Sequence, residues 1–422
     1  MTPATEIPLK YVAKVNLNTL GEDTPEDFTF RYVDISCVTQ GAVAIPDETI
    51  TFGTAPSRAR RQALAGDTLV STVRTYLRAI AGVSDSEDDL VFSTGFAVVH
   101  PDGAAIHPPF LTYQLQADRF ITSVEAISTG VSYPATTASE VMRLPVWVPT
   151  FDRQRAISAF LDRETAEIDA VIAKQEELIR LLGERRSAVI SHAVTKGLNP
   201  DAPMKDSGVE WLGEVPAHWQ VLAIKRLTPV QRGASPRPID DPVYFDDDGE
   251  WAWVRIADVT ASGGELTQTT QRLSELGSSL SVKMAPGDLF VSIAGTVGKP
   301  CITKIKACIH DGFVYFPLLP FNPEFLFRIF EAGECYRGLG KLGTQLNLNT
   351  DTVGGIKIAL PPNGEIDEIA KYLRAALEAL DSVAAKAAES ISLMRERRAA
   401  LISDAVTGRL NVETYGKSEG AA

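Results

Sequence analysis

The sequence predicts a mixed α/β (α+β) fold: two tandem globular domains, each followed by a long helix, with the two helices paired as a coiled coil. Three observations predict it. First, GERRSAVISHAVTKGL at 183–198 returns 212 positions later as RERRAALISDAVTGRL at 395–410. The match extends upstream without a gap, so that 160–198 and 372–410 share 18 of 39 residues. Second, each copy follows short apolar, strand-like runs broken by Gly, Pro and Asp, in the same order in both halves. YVDISCVTQG at Tyr32 resembles WVRIADVTASGG at Trp253, AGDTLVS at Ala65 resembles PGDLFVS at Pro286, and HPPFLTYQL at His107 resembles NPEFLFRIF at Asn322. Third, both helical stretches carry apolar residues at 3–4 spacing, the pattern of a coiled-coil seam.

The elements follow in order. Residues 1–150 form the first globular domain, with strand patterns such as DTLVST and LVFSTGFAVV. A helix over 151–198 follows, its seam carried by Leu161, Ile168, Ile172, Ile179 and Leu182, with Thr165 and Gln175 interposed. The Pro/Gly-rich stretch 199–218 reads as a linker. Residues 219–362 form the second globular domain. The second helix, 363–410, carries Leu373, Leu377, Leu380, Ala384, Ile391 and Met394, with Ala387 among them. Residues 411–422 are expected to be a flexible tail. The seam pattern by itself is compatible with parallel or antiparallel packing.

Composition narrows the class. A 422-residue chain with 45% hydrophobic and 23% charged residues is globular and long enough for more than one core. The start, MTPATEIPLKYVAKV, has no basic flank before an apolar run, and no run is long enough to cross a bilayer, which points to the cytoplasm. Cys37, Cys301, Cys308 and Cys335 form no CxxC pair, so free thiols are expected. A net charge of −13 counts against nucleic acid unless positive charge is concentrated locally.

Catalytic signatures are wanting. HPPF at His107 and NPEF at Asn322 depart differently from the Asn/Asp-Pro-Pro-Tyr/Phe string of adenine amino-methyltransferases, and read as turns leading into helices. GTVGKP at Gly295 lacks the spacing and hydroxyl of a phosphate-binding loop. The five histidines have no metal-ligand spacing, and DDPVYFDDDGEW at Asp240 reads as an exposed turn. No cofactor or metal is expected in this chain.

Binding candidates are better defined. Arg58, Arg60, Arg61, Arg74 and Arg78 lie around the strand pattern QALAGDTLVST, where arginine forks suit phosphates or guanine edges. The second half offers Arg232 and Arg237, then Lys299, Lys304 and Lys306, then Arg337, Lys341, Gln345 and Asn347 in a polar, glycine-rich loop. Its counterpart in the first half, STGVSYPATT, contributes Ser132 and Tyr133. Shared framework with different loops is what two readers of different targets require. The residues also allow a non-catalytic duplicated adaptor that assembles protein partners through its coiled coil.

WLGEVPAHWQVLAIKRL (211–227), GDLFVSIAGTVGK, the LPP strand end and the paired ERRxAxIxxAVTxxL helix ends resemble the specificity subunit of a type I restriction-modification enzyme, over essentially the whole chain. The resemblance implies two target-recognition domains reading the halves of a bipartite double-stranded DNA site. It implies spacer helices packed antiparallel with pseudo-two-fold symmetry, binding two methyltransferase (modification) subunits that restriction/translocase subunits then join. S-adenosylmethionine, ATP and magnesium would sit on those partners. Two departures stand out. The Glu-Gln pair that follows the strand-ending prolines in the family is Arg153-Gln154 in one copy and Glu365-Ile366 in the other, and the first half has no WLGE-P-HW block.

Overall fold

The computed structural model describes residues 5–84, 89–339 and 348–415. They form two compact units: 1–176 with 388–422, and 177–387. The first unit draws on two separate stretches of chain and the second on one, and the divisions fall inside the long helices instead of at their ends. Each of the two long helices, Phe151–Lys196 and Asn363–Val406, is divided between the units. The physical reason is burial. Each half-helix inserts its apolar stripe into a globular core, so core membership does not follow chain order.

In the first unit a four-stranded antiparallel sheet orders Ile80–Gly82, Thr68–Ser71, Phe96–Pro101 and Ala13–Val15. A five-stranded sheet runs Asn18–Thr19, Ala59–Gln62, Leu90–Ser93, Thr29–Val33 and Ile50–Thr51, with one parallel pairing between Leu90–Ser93 and Thr29–Val33. Helix Pro108–Gln116 starts with proline in its first turn, where no backbone N–H is needed. Strands Thr5–Pro8 and Pro145–Val148 pair antiparallel, Ile7 opposite Val146, and bring the start and end of the domain together just before the long helix. The core joins Leu9, Val70, Phe110 and Leu115 to Ile157, Phe160, Leu161 and Ile168 of one long helix and to Leu401, Ile402, Ala405 and Val406 of the other.

The direction of helix pairing follows from two ion pairs. Asp169 meets Arg398 at 3.0 Å and Glu176 meets Arg395 at 3.0 Å. Moving forward along one helix moves backward along the other, so they run antiparallel.

The second unit repeats the plan. A five-stranded sheet orders Gln231–Arg232, Phe313–Tyr315, Leu289–Ser292, Pro300–Thr303 and Glu265–Leu266. A four-stranded sheet orders Gln271–Leu273, Trp251–Val254, Ala307–Ile309 and Val282–Met284, again with one parallel pairing, Trp251–Val254 with Ala307–Ile309. Strands Gln220–Ala223 and Lys357–Leu360 close the domain. Helix Pro323–Ala332 is capped by the Asn322 side chain, which accepts from the Glu324 N–H. Ile190, Ala193 and Val194 share a core with Ile366, Ile369, Leu373 and Leu377. Arg186 meets Asp381 at 3.3 Å while Gly197 lies beside Glu365, so here too the helix segments are antiparallel.

The seam residues fall into two grades. Leu161, Ile168, Leu373, Leu377 and Ile391 are buried, whereas Ile172, Ile179, Leu182, Leu380, Ala384 and Met394 are half-buried. Both helices stop earlier than the sequence predicts, at Lys196 and Val406. Gly197 (φ +75°) and Gly408 (φ +74°) then take the left-handed conformation that ends a helix with least strain. The expected linker 199–218 has structure of its own. It contains the antiparallel pair Met204–Asp206 with Glu214–Pro216, and buries Leu212 and Val215, followed at once by buried Trp219, in the second unit's core. Finally, the start of the expected flexible tail is docked: Val412 packs on the first unit's core and the Tyr415 ring meets Phe160 edge-on at 4.9 Å. Residues 416–422 lie outside the described residues.

Candidate nucleic-acid interface

Strands Thr68–Ser71 and Ile80–Gly82 are joined by a tongue whose middle is one 3₁₀ turn, Thr75–Leu77. That turn is bracketed by two residues with left-handed backbone, Arg74 (φ +51°) and Arg78 (φ +53°). An L-residue with a side chain pays about 1–2 kcal/mol for this conformation. The tongue is tied down at several points. Ser71 N–H donates to Ala79 O at 3.0 Å, Arg74 N–H to Pro134 O at 2.8 Å, and Thr75 Oγ1 to Ser128 Oγ at 2.9 Å. These bonds bring Arg74 beside the loop that carries Ser132 and Tyr133.

The two arginines then diverge. Arg78 is ion-paired with Asp118 at 3.1 Å and with Glu125 at 3.4 Å. Arg74 is exposed, its guanidinium 5.1 Å from the centroid of the exposed Tyr133 ring. Tyr76, Leu77 and Val131 are exposed beside them.

Arg60 and Arg61 lie on strand Ala59–Gln62 of the neighbouring five-stranded sheet, and Arg58 is in the turn just before it. Arg58 is exposed, and its carbonyl accepts from Thr94 N–H at 2.8 Å. The next residue, Gly95, accepts from Thr72 N–H at 2.8 Å, so a two-residue turn links this edge to the tongue's base. Arg60 lies 4.4 Å over the Phe52 ring. Arg61 donates to Thr19 Oγ1 at 3.1 Å, and its buried Nε has no partner among the described residues. Burial lowers the Arg61 pKa from its ordinary value.

In the second unit most candidate cations already have anionic partners. Arg237 meets Asp311 at 2.9 Å, Lys304 meets Glu265 at 2.9 Å, Lys306 meets Glu250, and Arg337 lies 4.0 Å from Glu334. Arg232 donates to the Asp311 carbonyl and Lys299 Nζ to the Thr260 carbonyl at 3.2 Å. Lys341, Gln345 and Asn347 lie outside the described residues. The equivalent tongue here, from Ser292 to Pro300, carries Gly295 (φ +63°) and Gly298 (φ +85°).

One concavity was not anticipated from the sequence. A cleft of about 600 Å³ is lined by Trp253, Arg255, Gln271, His310, Phe245 and Asp246, among others. Arg255 donates to Gln271 Oε1, and the Trp253 and His310 rings lie 5.8 Å apart. The available signal was WVRIADVT, which had served only to align the two halves. The acidic segment beside it is an exposed turn in which the Asp246 carboxylate accepts from Asp248 N–H. Among the described residues no group of three or more His, Cys, Asp or Glu is arranged to hold a metal ion. No helix among them is long and apolar enough to cross a membrane.

No protein-family model matches the chain. Among curated proteins it is 25% identical over 368 residues to the type I restriction enzyme HindI specificity subunit of Haemophilus influenzae, covering 72% of this chain and 79% of that one. It is 21% identical over 319 residues to the MjaVIII specificity subunit of Methanocaldococcus jannaschii, covering 72% and 70%. A chain from a structure of a type I restriction-modification system, studied for complex assembly and conformational transition, has a TM-score of 0.76 at 22% identity and covers 97% of this chain and 99% of its own. The HsdS subunit of Thermoanaerobacter tengcongensis has a TM-score of 0.51 at 22% identity, covering 97% and 98%. In fold, and in sequence over most of its length, this chain is similar to the specificity subunits of type I restriction enzymes.

Proposed function

We propose that the chain recognises a bipartite double-stranded DNA site and is the non-catalytic assembly scaffold of a cytoplasmic type I restriction-modification complex. The observation that carries this is the repeated plan with unlike tips. Both units have the same paired sheets, domain-closing strand pair and helix-end packing, while the tongue is arginine-bearing in one and glycine-bearing in the other. A duplicated framework bearing unlike loops suits two half-sites of unlike sequence. The paired long helices would dock two methyltransferase subunits, and restriction/translocase subunits would join them. S-adenosylmethionine, ATP and magnesium would be held by those partners. The local basic edge at Arg58 and Arg60, not the total charge, would face the phosphates.

The test is DNA binding by the chain assembled with its methyltransferase subunit, across a salt series. Site-specific binding should weaken linearly in log–log form as salt rises. Charge reversal at Arg58 and Arg60 should weaken binding while assembly is retained. Retained assembly with no DNA binding by the wild-type complex would favour the adaptor reading.

A further inference from the structure

The two tongues present one backbone problem with two solutions. Strand register aligns them: Val70 pairs with Ile80 in the first unit, and Val291 with Pro300 in the second, so the first tongue is one residue longer. Three residues after the serine that both tongues share, Ser71 or Ser292, the chain turns left-handed, at Arg74 or at Gly295. Two residues before the returning strand's paired residue it turns left-handed again, at Arg78 or Gly298. Glycine adopts this conformation without a Cβ penalty. The first unit therefore keeps side chains where the backbone alone favours none, and such strain gathers where a side chain is used.

For Arg78 the use is visible, since Asp118 and Glu125 hold its guanidinium. For Arg74 no carboxylate lies within ion-pair distance among the described residues. Its guanidinium instead lies 5.1 Å from the centroid of the exposed Tyr133 ring, and Tyr76 and Leu77 of the same turn are exposed as well. The ring holds the cation near one position without an acceptor that would use up its N–H donors. A positioned fork with free donors matches the O6 and N7 acceptors of guanine in the major groove.

We infer that Arg74 is a specificity-determining residue of the first unit, reading a guanine in one half of the DNA site, with Tyr133 as its positioning residue. This rests on the bipartite DNA reading above. A phosphate contact, which a cation at many neighbouring positions can make, would not reward strain at one position.

The experiment uses the complex assembled with its methyltransferase subunit. Methyl transfer is measured on duplexes carrying each base pair in turn at every position of both half-sites. In Arg74→Gly, discrimination at one G·C pair of one half-site should fall by roughly tenfold to a hundredfold. The other half-site should be read as in wild type, and Tm should not drop, because glycine relieves the strained backbone. Arg74→Lys should lose most of the same discrimination, since an ammonium cannot form the fork. If Arg74→Gly folds poorly, Arg74→Asn, which tolerates left-handed backbone, carries the same expectation.

Unchanged discrimination in folded variants overturns the inference while leaving the bipartite reading intact. Uniform weakening on all sequences makes Arg74 a phosphate contact and also overturns it. Failure of a folded variant to assemble assigns Arg74 to a protein partner instead. If the wild-type complex reads no bipartite site, the functional reading fails first and takes the inference with it.

Discussion

Gly197 and Gly408 show how single residues compensate for a broken motif. A Cβ on Gly197 would sit 3.0 Å from Trp219 Cζ2, and one on Gly408 would sit 3.0 Å from Trp147 Cζ2. An indole therefore seals each helix end, but from opposite sides of the closing strand pair. Trp219 precedes the entering strand and Trp147 lies on the leaving one. The missing WLGE-P-HW block of the first half is thus met by a tryptophan from elsewhere. The position after the prolines follows suit. Glu365 accepts from the Trp219 indole N–H at 3.0 Å and lies 2.8 Å from His218 Nε2. Its counterpart Arg153 lies 5.2 Å over the Trp147 ring. Beside them, Ile366 is buried in the second core, while Gln154 accepts from His107 N–H at 2.7 Å and donates to Pro149 O at 2.9 Å. Each departure from the family string suits its own surroundings, which sequence alone could not reveal because the partners are distant in the chain. Gly197→Ala should destabilise the protein by about 1–3 kcal/mol through left-handed strain and the indole contact. Trp219→Ala should cost about 3–5 kcal/mol, measured by denaturant unfolding. A change below about 0.5 kcal/mol in either would contradict this account of the helix end.

At the scale of elements, the seam and the strand runs were legible because periodicity is a local property. Helix direction was not, since an apolar stripe reads the same for both directions. It became clear only from the descending pairs Asp169–Arg398 and Glu176–Arg395. Residues 199–218 read as a linker for the opposite reason: scattered Pro and Gly interrupt any periodic pattern, while Leu212 and Val215 decide the packing. The turn between strands Ala307–Ile309 and Phe313–Tyr315 makes a further prediction. His310 Nδ1 accepts from Gly312 N–H at 2.8 Å, so the neutral ring is the one that fits. Burial lowers its pKa from the ordinary 6.5, with Arg232 adding to this and Asp311 opposing it. His107 is lowered too, by burial and then by Arg155. A depressed histidine pKa means that the unfolded chain takes up protons first on acidification. The associated stability is therefore complete above pH 6.5 and is lost as pH falls from there through the folded-state pKa. Each such group contributes a slope of at most about 1.4 kcal/mol per pH unit. His310→Gln should flatten the stability profile between about pH 7 and pH 5. An unchanged slope would show that the turn does not select the neutral ring.

For the whole molecule, the repeat made the number of domains legible, but not the composition of the compact units. Each unit takes one half of both long helices, so the first is assembled from two stretches of chain that flank the second. Of the binding candidates, the sequence located the arginine tongue and the Arg58–Arg61 strand, but could not tell committed cations from uncommitted ones. Arg78, Arg237, Lys304 and Lys306 answer nearby carboxylates, which charge counting along the chain cannot foresee. The central claim is that one chain carries two independent sequence readers and leaves the chemistry to others. It is tested most directly by mapping methylated bases across the genome of cells expressing this chain with its methyltransferase subunit. The account predicts a single motif of two short specified sequences separated by a fixed gap of unspecified bases, absent when this chain is omitted. A contiguous motif, or methylation that does not depend on the chain, would contradict it.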